Sequence, residues 1–271
     1  MRFEKLKLRK TIFIAIILML TQSSYLYAGS TDSEELKNNN SSSTAKECFE
    51  GFSRAMFKFN HTLDGAIFEP VAKGYRALPV PIRKGTSNVV DNLRSLLTIS
   101  NNVLQGDFGK AGNTAGRFVI NSTVGILGFF DPAAALGLED SGKEDFGQTI
   151  GVWGSKSGCY FVLPILGPTT TRDAVGLVGN IFLDPVYQIT HNTEVVNRTY
   201  SEHNYWYYRS TGSVDFRAKN IESFDSVEEN SIDLYASLKS LYLQNRNKKI
   251  SNSESPTDTQ NDDDWEEIDT E

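Results

Sequence analysis

The chain is poor in the residues that carry catalysis. Its 271 residues include only two cysteines, Cys48 and Cys159, and three histidines, His61, His191 and His203. It contains no GxSxG elbow, no HExxH and no CxxC. His191 and His203 would stand about 18 Å apart on one unbroken helix, too far to share a metal. The cysteine pair lacks metal-site spacing, which argues against a structural zinc. Gly137–Glu144 nearly matches a phosphate-binding loop, but Glu144 replaces the magnesium-binding hydroxyl and Glu139 and Asp140 would repel phosphate. These absences point away from an enzyme and imply no cofactor and no metal; an exported hydrolase is the enzymatic alternative. Positive charge is also short, with 27 basic against 34 acidic residues and a net charge of −7. That balance argues against nucleic-acid binding, which rests on phosphate neutralisation by Lys and Arg.

A long apolar run is missing too. The longest, Thr11–Leu20 (TIFIAIILML), is about half the ~20 residues a spanning helix needs. It follows the basic Met1–Lys10 and precedes a small-residue boundary at Ala28–Gly29, the layout of a secretory signal peptide over 1–28. Leu26 is large for a cleavage site, so an uncleaved anchor is the alternative. Without residues 1–28, which hold five basic residues and one acid, 22 basic and 33 acidic residues remain, a net −11. Residues 29–46 (GSTDSEELKNNNSSSTAK) are polar and low in complexity, a flexible tether. The tail 251–271 carries eight acids after Thr257 and no base, so it is expected to be disordered. It serves solubility, or docks on a basic partner through Trp265 and Ile268. Between these ends, 47–250 reads as one domain. In an exported chain Cys48 and Cys159 can oxidise to a disulfide, or remain two buried thiols.

What the sequence does have is helical periodicity. Phe49, Phe52, Met56, Phe59 and Leu63 form one stripe. Pro70 halts that helix or restarts the next, Val71–Leu78, which Pro79 and Pro81 end. Thr86 or Ser87 can cap a further helix of about five turns with an apolar face of Val89, Val90, Leu93, Leu96, Leu97, Val103 and Leu104, ended by Gly106. Ala111–Phe130 carries one charge, Arg117, and its glycines suit two half-length segments, Lys110–Thr123 and Gly125–Gly137. They form either a core hairpin or an element that dips into a membrane without crossing it. Ala174–Phe182 and Val214–Gln244 read as helices, the latter with a face of Leu234, Tyr235, Leu238, Leu241 and Tyr242. The aromatics Tyr200, Tyr205, Trp206, Tyr207 and Tyr208 suit a membrane interface and a packing seam equally.

The stretch Lys143–Asp173 (KEDFGQTIGVWGSKSGCYFVLPILGPTTTRD) has too many glycines and prolines for a long helix and too many apolar residues for a solvated linker. It is expected to be a long, ordered, partly buried loop closed by Arg172–Asp173. EDFGQTIGVWG and YFVLPILGPTTTRDAVG within and after it resemble the MlaA (VacJ) family of outer-membrane phospholipid-transport proteins. So do EGFSRAMFKFNHTLD (Glu50–Asp64), EPVAKGYRALP with PIRKG (Glu69–Gly85), NNVLQGD (Asn101–Asp107), GRFVINSTVGILGFFD (Gly116–Asp131) and SIDLYASLKSLYLQNR (Ser231–Arg246), in family order. The resemblance covers about residues 47–250.

It implies a mostly α fold, a ring of amphipathic helices around a central channel. It also implies removal of phospholipid from the outer leaflet, association with a trimeric porin, and delivery to a soluble MlaC-like periplasmic carrier. The site would lie on the periplasmic side of the outer membrane. One departure stands out: family members carry a cysteine directly after the apolar run, and the first cysteine here is Cys48. A lipid path needs a few polar groups on an apolar wall, and the candidates are Arg54, Asn60, Arg117, Phe118, Asn121, Trp153, Arg172 and Asp173. Each arginine serves equally well as a structural ion pair. The alternative function is a soluble periplasmic lipid-binding or structural envelope protein, whose apolar residues would close around a dry core.

Overall fold

The structure, a computed structural model, describes residues 45–191 and 202–251, all within the unit Ser43–Glu271 of the chain's two units. The expected signal segment, the tether up to residue 44, Tyr200 and the acidic tail from residue 252 lie outside the described residues. Helices dominate. In order they are α1 (Glu50–Leu63), α2 (Glu69–Arg76), α3 (Val80–Gln105), α4 (Phe108–Thr123), α5 (Pro132–Ala135), α6 (Phe146–Val152), α7 (Thr171–Leu183), α8 (Pro185–His191), α9 (Glu202–Lys219), α10 (Ile221–Asn230) and α11 (Leu234–Ile250). A small sheet of β1 (Lys46–Glu47), β2 (Cys159–Leu163) and β3 (Gly167–Thr170) is ordered β1-β2-β3. β1 runs parallel to β2, pairing Lys46 with Cys159, and β3 returns antiparallel.

Several boundaries differ from the sequence expectations, each for a local reason. Of the two roles open to Pro70 it takes the second, standing in the first turn of α2 rather than stopping the helix before it. A π-helical turn at Asp64–Phe68 widens the hydrogen-bond ladder just ahead of it, and the chain runs on into α2. α3 starts at Val80 rather than near Ser87, because Pro79 is its cap and Pro81 occupies its first turn, where a missing N–H costs nothing. Gly106 ends α3 at φ 81°, and Asp107 caps α4 by accepting from the Lys110 N–H at 3.0 Å. The second half-segment expected over Gly125–Gly137 is a run of turns followed by the short α5. Val214–Gln244 is interrupted at Asn220 and again before Asp233, which caps α11.

The stretch Lys143–Asp173 is ordered but is not a loop. Asp145 caps α6 through the Gln148 N–H, and β2 and β3 form a hairpin on which Tyr160 and Val162 alternate inward. Its glycines serve the junctions: Gly154, Gly158 and Gly167 all have positive φ, which those turns require. Tyr160 and Val162 meet Ala45 and Tyr235, with Met56, Phe57, Tyr242 and Leu243 around them. A second cluster joins Ala72 of α2 to Ala218 and Ile221.

Candidate functional site

The distribution of polarity is inverted. Among the described residues, nearly twice as many polar or charged residues are buried as apolar ones, and Leu97, Val162 and Ile221 are the only buried Leu, Val or Ile. The buried positions of α3 include Arg83, Ser87, Asn92, Thr98, Asn101 and Asn102, whereas Val103 and Leu104 of its expected apolar face are exposed. Exposed large apolar residues occur on α1 (Phe52, Phe59), α2 (Val71), α4 (Val119) and α7 (Val175, Val178, Phe182). A water-soluble domain of this size buries such side chains and exposes polar ones.

The turn between α4 and α5 shows this most sharply. Val124, Ile126, Leu127 and Phe130 are exposed, with Ile126 at 65% and Leu127 at 75%. Ile126 and Leu127 also sit at φ 54° and 57°, in the left-handed region that a β-branched residue disfavours. The turn is held from within. Asn92 Nδ2 donates to Ser122 Oγ at 2.9 Å, Asn88 Nδ2 donates to the Phe129 carbonyl at 3.2 Å, and Gly128 packs on Asn92. Polar side chains of α3 thus support an apolar tip from behind.

The sequence-selected residues fall into separate places. Arg117 and Asn121 of α4 converge on Asp131: Arg117 pairs with it at 2.7 Å and Asn121 donates to it at 2.8 Å. Arg117 also donates to the Leu138 carbonyl, and Asn121 accepts from the Ala133 N–H at 3.1 Å. Phe118 is half-buried beside them. Arg54 is exposed, pairs with Glu50 and Asp233, and lies over the Tyr235 ring. Trp153 is exposed, with its indole N–H donating to the Leu104 carbonyl at 3.0 Å.

Asn60 has a defined role. Its amide donates to the Leu163 carbonyl at 2.8 Å and accepts from the Ile165 N–H at 2.7 Å, clamping the tip of the β2–β3 hairpin. That tip carries exposed Ile165 and Leu166, with Ile165 at φ 66°. Asn60→Ala should cost about 1–3 kcal/mol, because it removes both partners of the tip. The Ile165 amide should then exchange with solvent faster, by about tenfold or more, while amides of α3 are unchanged. Equal exchange in both proteins would mean the clamp is not formed.

Arg172 and Asp173 belong to a buried ionic network that sequence reading only half found. Arg246 of α11 reaches Asp173 at 2.7 Å and Asp145 at 2.5 and 3.0 Å. Tyr242 donates to Asp173 at 2.6 Å, and Thr170, the cap of α7, donates to the same carboxylate at 2.9 Å. Burial pushes the carboxyls of Asp145 and Asp173 up, but the hydrogen bonds and charge of Arg246 outweigh it and hold both below the usual range. At nearby Glu144 burial outweighs the Gln105 amide, its donor at 2.9 Å, and pushes the carboxyl up. Two helix starts, α6 and α7, are thereby latched to one arginine. The overlooked signal was that Tyr235 and Tyr242 of the expected face share a stripe on α11 with Lys239 and Arg246, at helical spacing. The apolar face expected there includes Leu241, which is exposed.

Cys48 and Cys159 are joined as a disulfide with Cα atoms 5.5 Å apart, linking the end of β1 to the start of β2. It spans 111 positions, which on the chain-entropy argument stabilises the fold by about 4–5 kcal/mol. Among the described residues no cluster of His, Cys, Asp and Glu suits a metal, and no helix is long and apolar enough to cross a membrane.

Fold and burial together define a helical protein with many buried polar side chains and many exposed large apolar ones, a class suited to contact with lipid. The chain belongs to the MlaA lipoprotein family, whose model matches residues 45–249. A Haemophilus influenzae relative, the intermembrane phospholipid transport system lipoprotein MlaA, is 30% identical over 89% of this chain and 90% of its own length. A Rickettsia prowazekii relative is 36% identical over 58% of this chain; the match spans 62% of that relative, less than two thirds. A solved structure from work on the structural basis for maintenance of bacterial outer membrane lipid asymmetry superposes with a TM-score of 0.64. It shares 28% identity and covers 76% of this chain and 99% of its own.

Proposed function

We infer that this protein removes phospholipid from the outer leaflet of the outer membrane and passes it to a soluble periplasmic carrier of the MlaC kind. Lipid asymmetry is thereby maintained. The observation that carries this reading is the inverted polarity, above all the apolar turn Val124–Phe130 backed by Asn88 and Asn92. A phospholipid has a polar head and apolar tails, so its carrier needs apolar surface towards acyl chains and polar groups along an inner path. On this reading the helices form a ring around a channel on the periplasmic side of the membrane, beside a trimeric porin. Arg54, Asn60, Arg117, Phe118, Asn121, Trp153, Arg172 and Asp173 then border the lipid path, the arginines and Asn60 by holding its walls in place and Trp153 on the outer side of the wall, towards the acyl chains.

No cysteine follows the apolar run of Thr11–Leu20 before Cys48, so attachment falls to the fold itself or to a retained signal segment. Burying each large apolar side chain contributes about 1.5–3 kcal/mol, and several such residues suffice to hold the protein in a leaflet. The test is stepwise extraction of washed outer membranes with high salt, carbonate and detergent, with mass spectrometry of the released chain. Release only by detergent, with phospholipid bound, is expected. Release by salt with no lipid would contradict the reading.

A further inference from the structure

We propose that the Cys48–Cys159 disulfide is an exchangeable clamp that couples the redox state of the compartment to the docking of α11. Both cysteines are only half-buried, so a dithiol can reach the bond. β1 has just two ladder residues, and its register on β2, Lys46 to Cys159 and Glu47 to Tyr160, sets the bond at the end of the pairing. So short a strand does not hold an edge position on its own hydrogen bonds.

What β1 holds in place is α11. Glu47 accepts from the Tyr235 hydroxyl and pairs with Lys239, and Ala45 is buried against Tyr160, Val162 and Tyr235. Those contacts are the first half of the polar stripe on α11. The second half, Tyr242 and Arg246, carries the latch on Asp173 and Asp145. The covalent link therefore secures residues 45–48, these secure the N-terminal half of α11, and α11 secures the starts of α6 and α7. Burial and the Lys239 and Tyr235 hydrogen bonds act on Glu47, with a net lowering of its carboxyl, so it remains a charged partner.

The chemistry balances simply. Each of the two thiols loses a proton, and together they give two electrons to a disulfide-bearing oxidase, which becomes a dithiol as the Sγ–Sγ bond forms. A dithiol reductant runs the exchange backwards through a mixed disulfide. The clamp closes in an oxidising compartment and opens in a reducing one, so the core around Tyr235 is completed only after export.

The test is hydrogen exchange on the full chain in detergent, oxidised, after treatment with a thioredoxin-type dithiol, and after reoxidation. Cys48→Ser/Cys159→Ser serves as a permanently open form, and Lys239→Met as a variant that keeps the bond but loses one anchor. Reduction is expected to raise exchange by about tenfold or more at 45–48 and 159–162, and by a smaller factor at the start of α11. Amides of α3 and α4 that exchange by local opening should be unchanged, and reoxidation should restore the first pattern. Lys239→Met should loosen α11 with the bond intact. Unchanged exchange on reduction would overturn the proposal, as would uniform collapse of all helices or a bond that the dithiol cannot cleave. Lipid transfer does not enter this readout, so its result stands apart from the proposed function.

Discussion

Arg246→Ala is expected to destabilise the protein by about 3–5 kcal/mol, the usual cost of removing one partner from a buried ion pair. The loss is large because Asp145 is left buried with no cation beside it, while Asp173 keeps only Arg172 of its two arginines. Reversible unfolding in detergent, followed by helical circular dichroism, measures it. The pH dependence gives a second signature. In the parent protein both carboxyls are held below their unfolded values, so their contribution is present above about pH 4. It is lost as pH falls through the lower folded values. Without Arg246 the burial of Asp145 is no longer outweighed by a cation, while Arg172 still favours the charged form of Asp173, so the variant should lose less stability than the parent on acidification over that range. A loss below about 1 kcal/mol with an unchanged pH profile would show that α11 is held by its other contacts.

Ile126→Asp/Leu127→Asp is expected to release the protein from membranes while leaving it folded. A carboxylate at mid-membrane costs about 2.5–3.5 kcal/mol. Even at half that depth penalty the pair amounts to about 3 kcal/mol, roughly a hundredfold in partition. The fold should tolerate the change, because both positions are exposed and lie at positive φ, where Asp is better accommodated than Ile. Flotation with liposomes reads the partition, and the thermal midpoint checks folding. A variant that floats as the parent does would remove this turn from the membrane contact.

Much of the fold was legible because it is written at short range. The stripe of α1, the end of α3 at Gly106 and the helix across 174–182 follow from periodicity and caps. The prolines mark boundaries as expected, Pro70 in the first turn of α2 and Pro79 beyond its end, but Pro81 also stands in the first turn of α3, so that helix starts earlier than its polar caps suggest. The apolar face assigned to α3 holds only in part: Leu97 is buried and Val89, Val90, Leu93 and Leu96 are half-buried, but Val103 and Leu104 are exposed and polar side chains take most of the buried positions. The site was legible only in part. Arg172–Asp173 adjoin in sequence, but Arg246 is brought to Asp173 across 73 positions and to Asp145 across 101 by tertiary packing. Asn60 was singled out on family resemblance, and its clamp on Leu163 and Ile165 came only from the folded hairpin.

The central claim, that the exterior of this protein faces acyl chains, is tested most directly by Trp153. With Trp206 and Trp265 replaced by Phe, Trp153 is the sole indole, exposed at 57% and fixed by its hydrogen bond to Leu104. Its fluorescence is measured in vesicles whose phospholipids carry bromines along the acyl chains. Quenching by the brominated tails, with little effect of iodide in the water, is the predicted result. Quenching by iodide with no response to the bromines would place Trp153 in water and contradict the account.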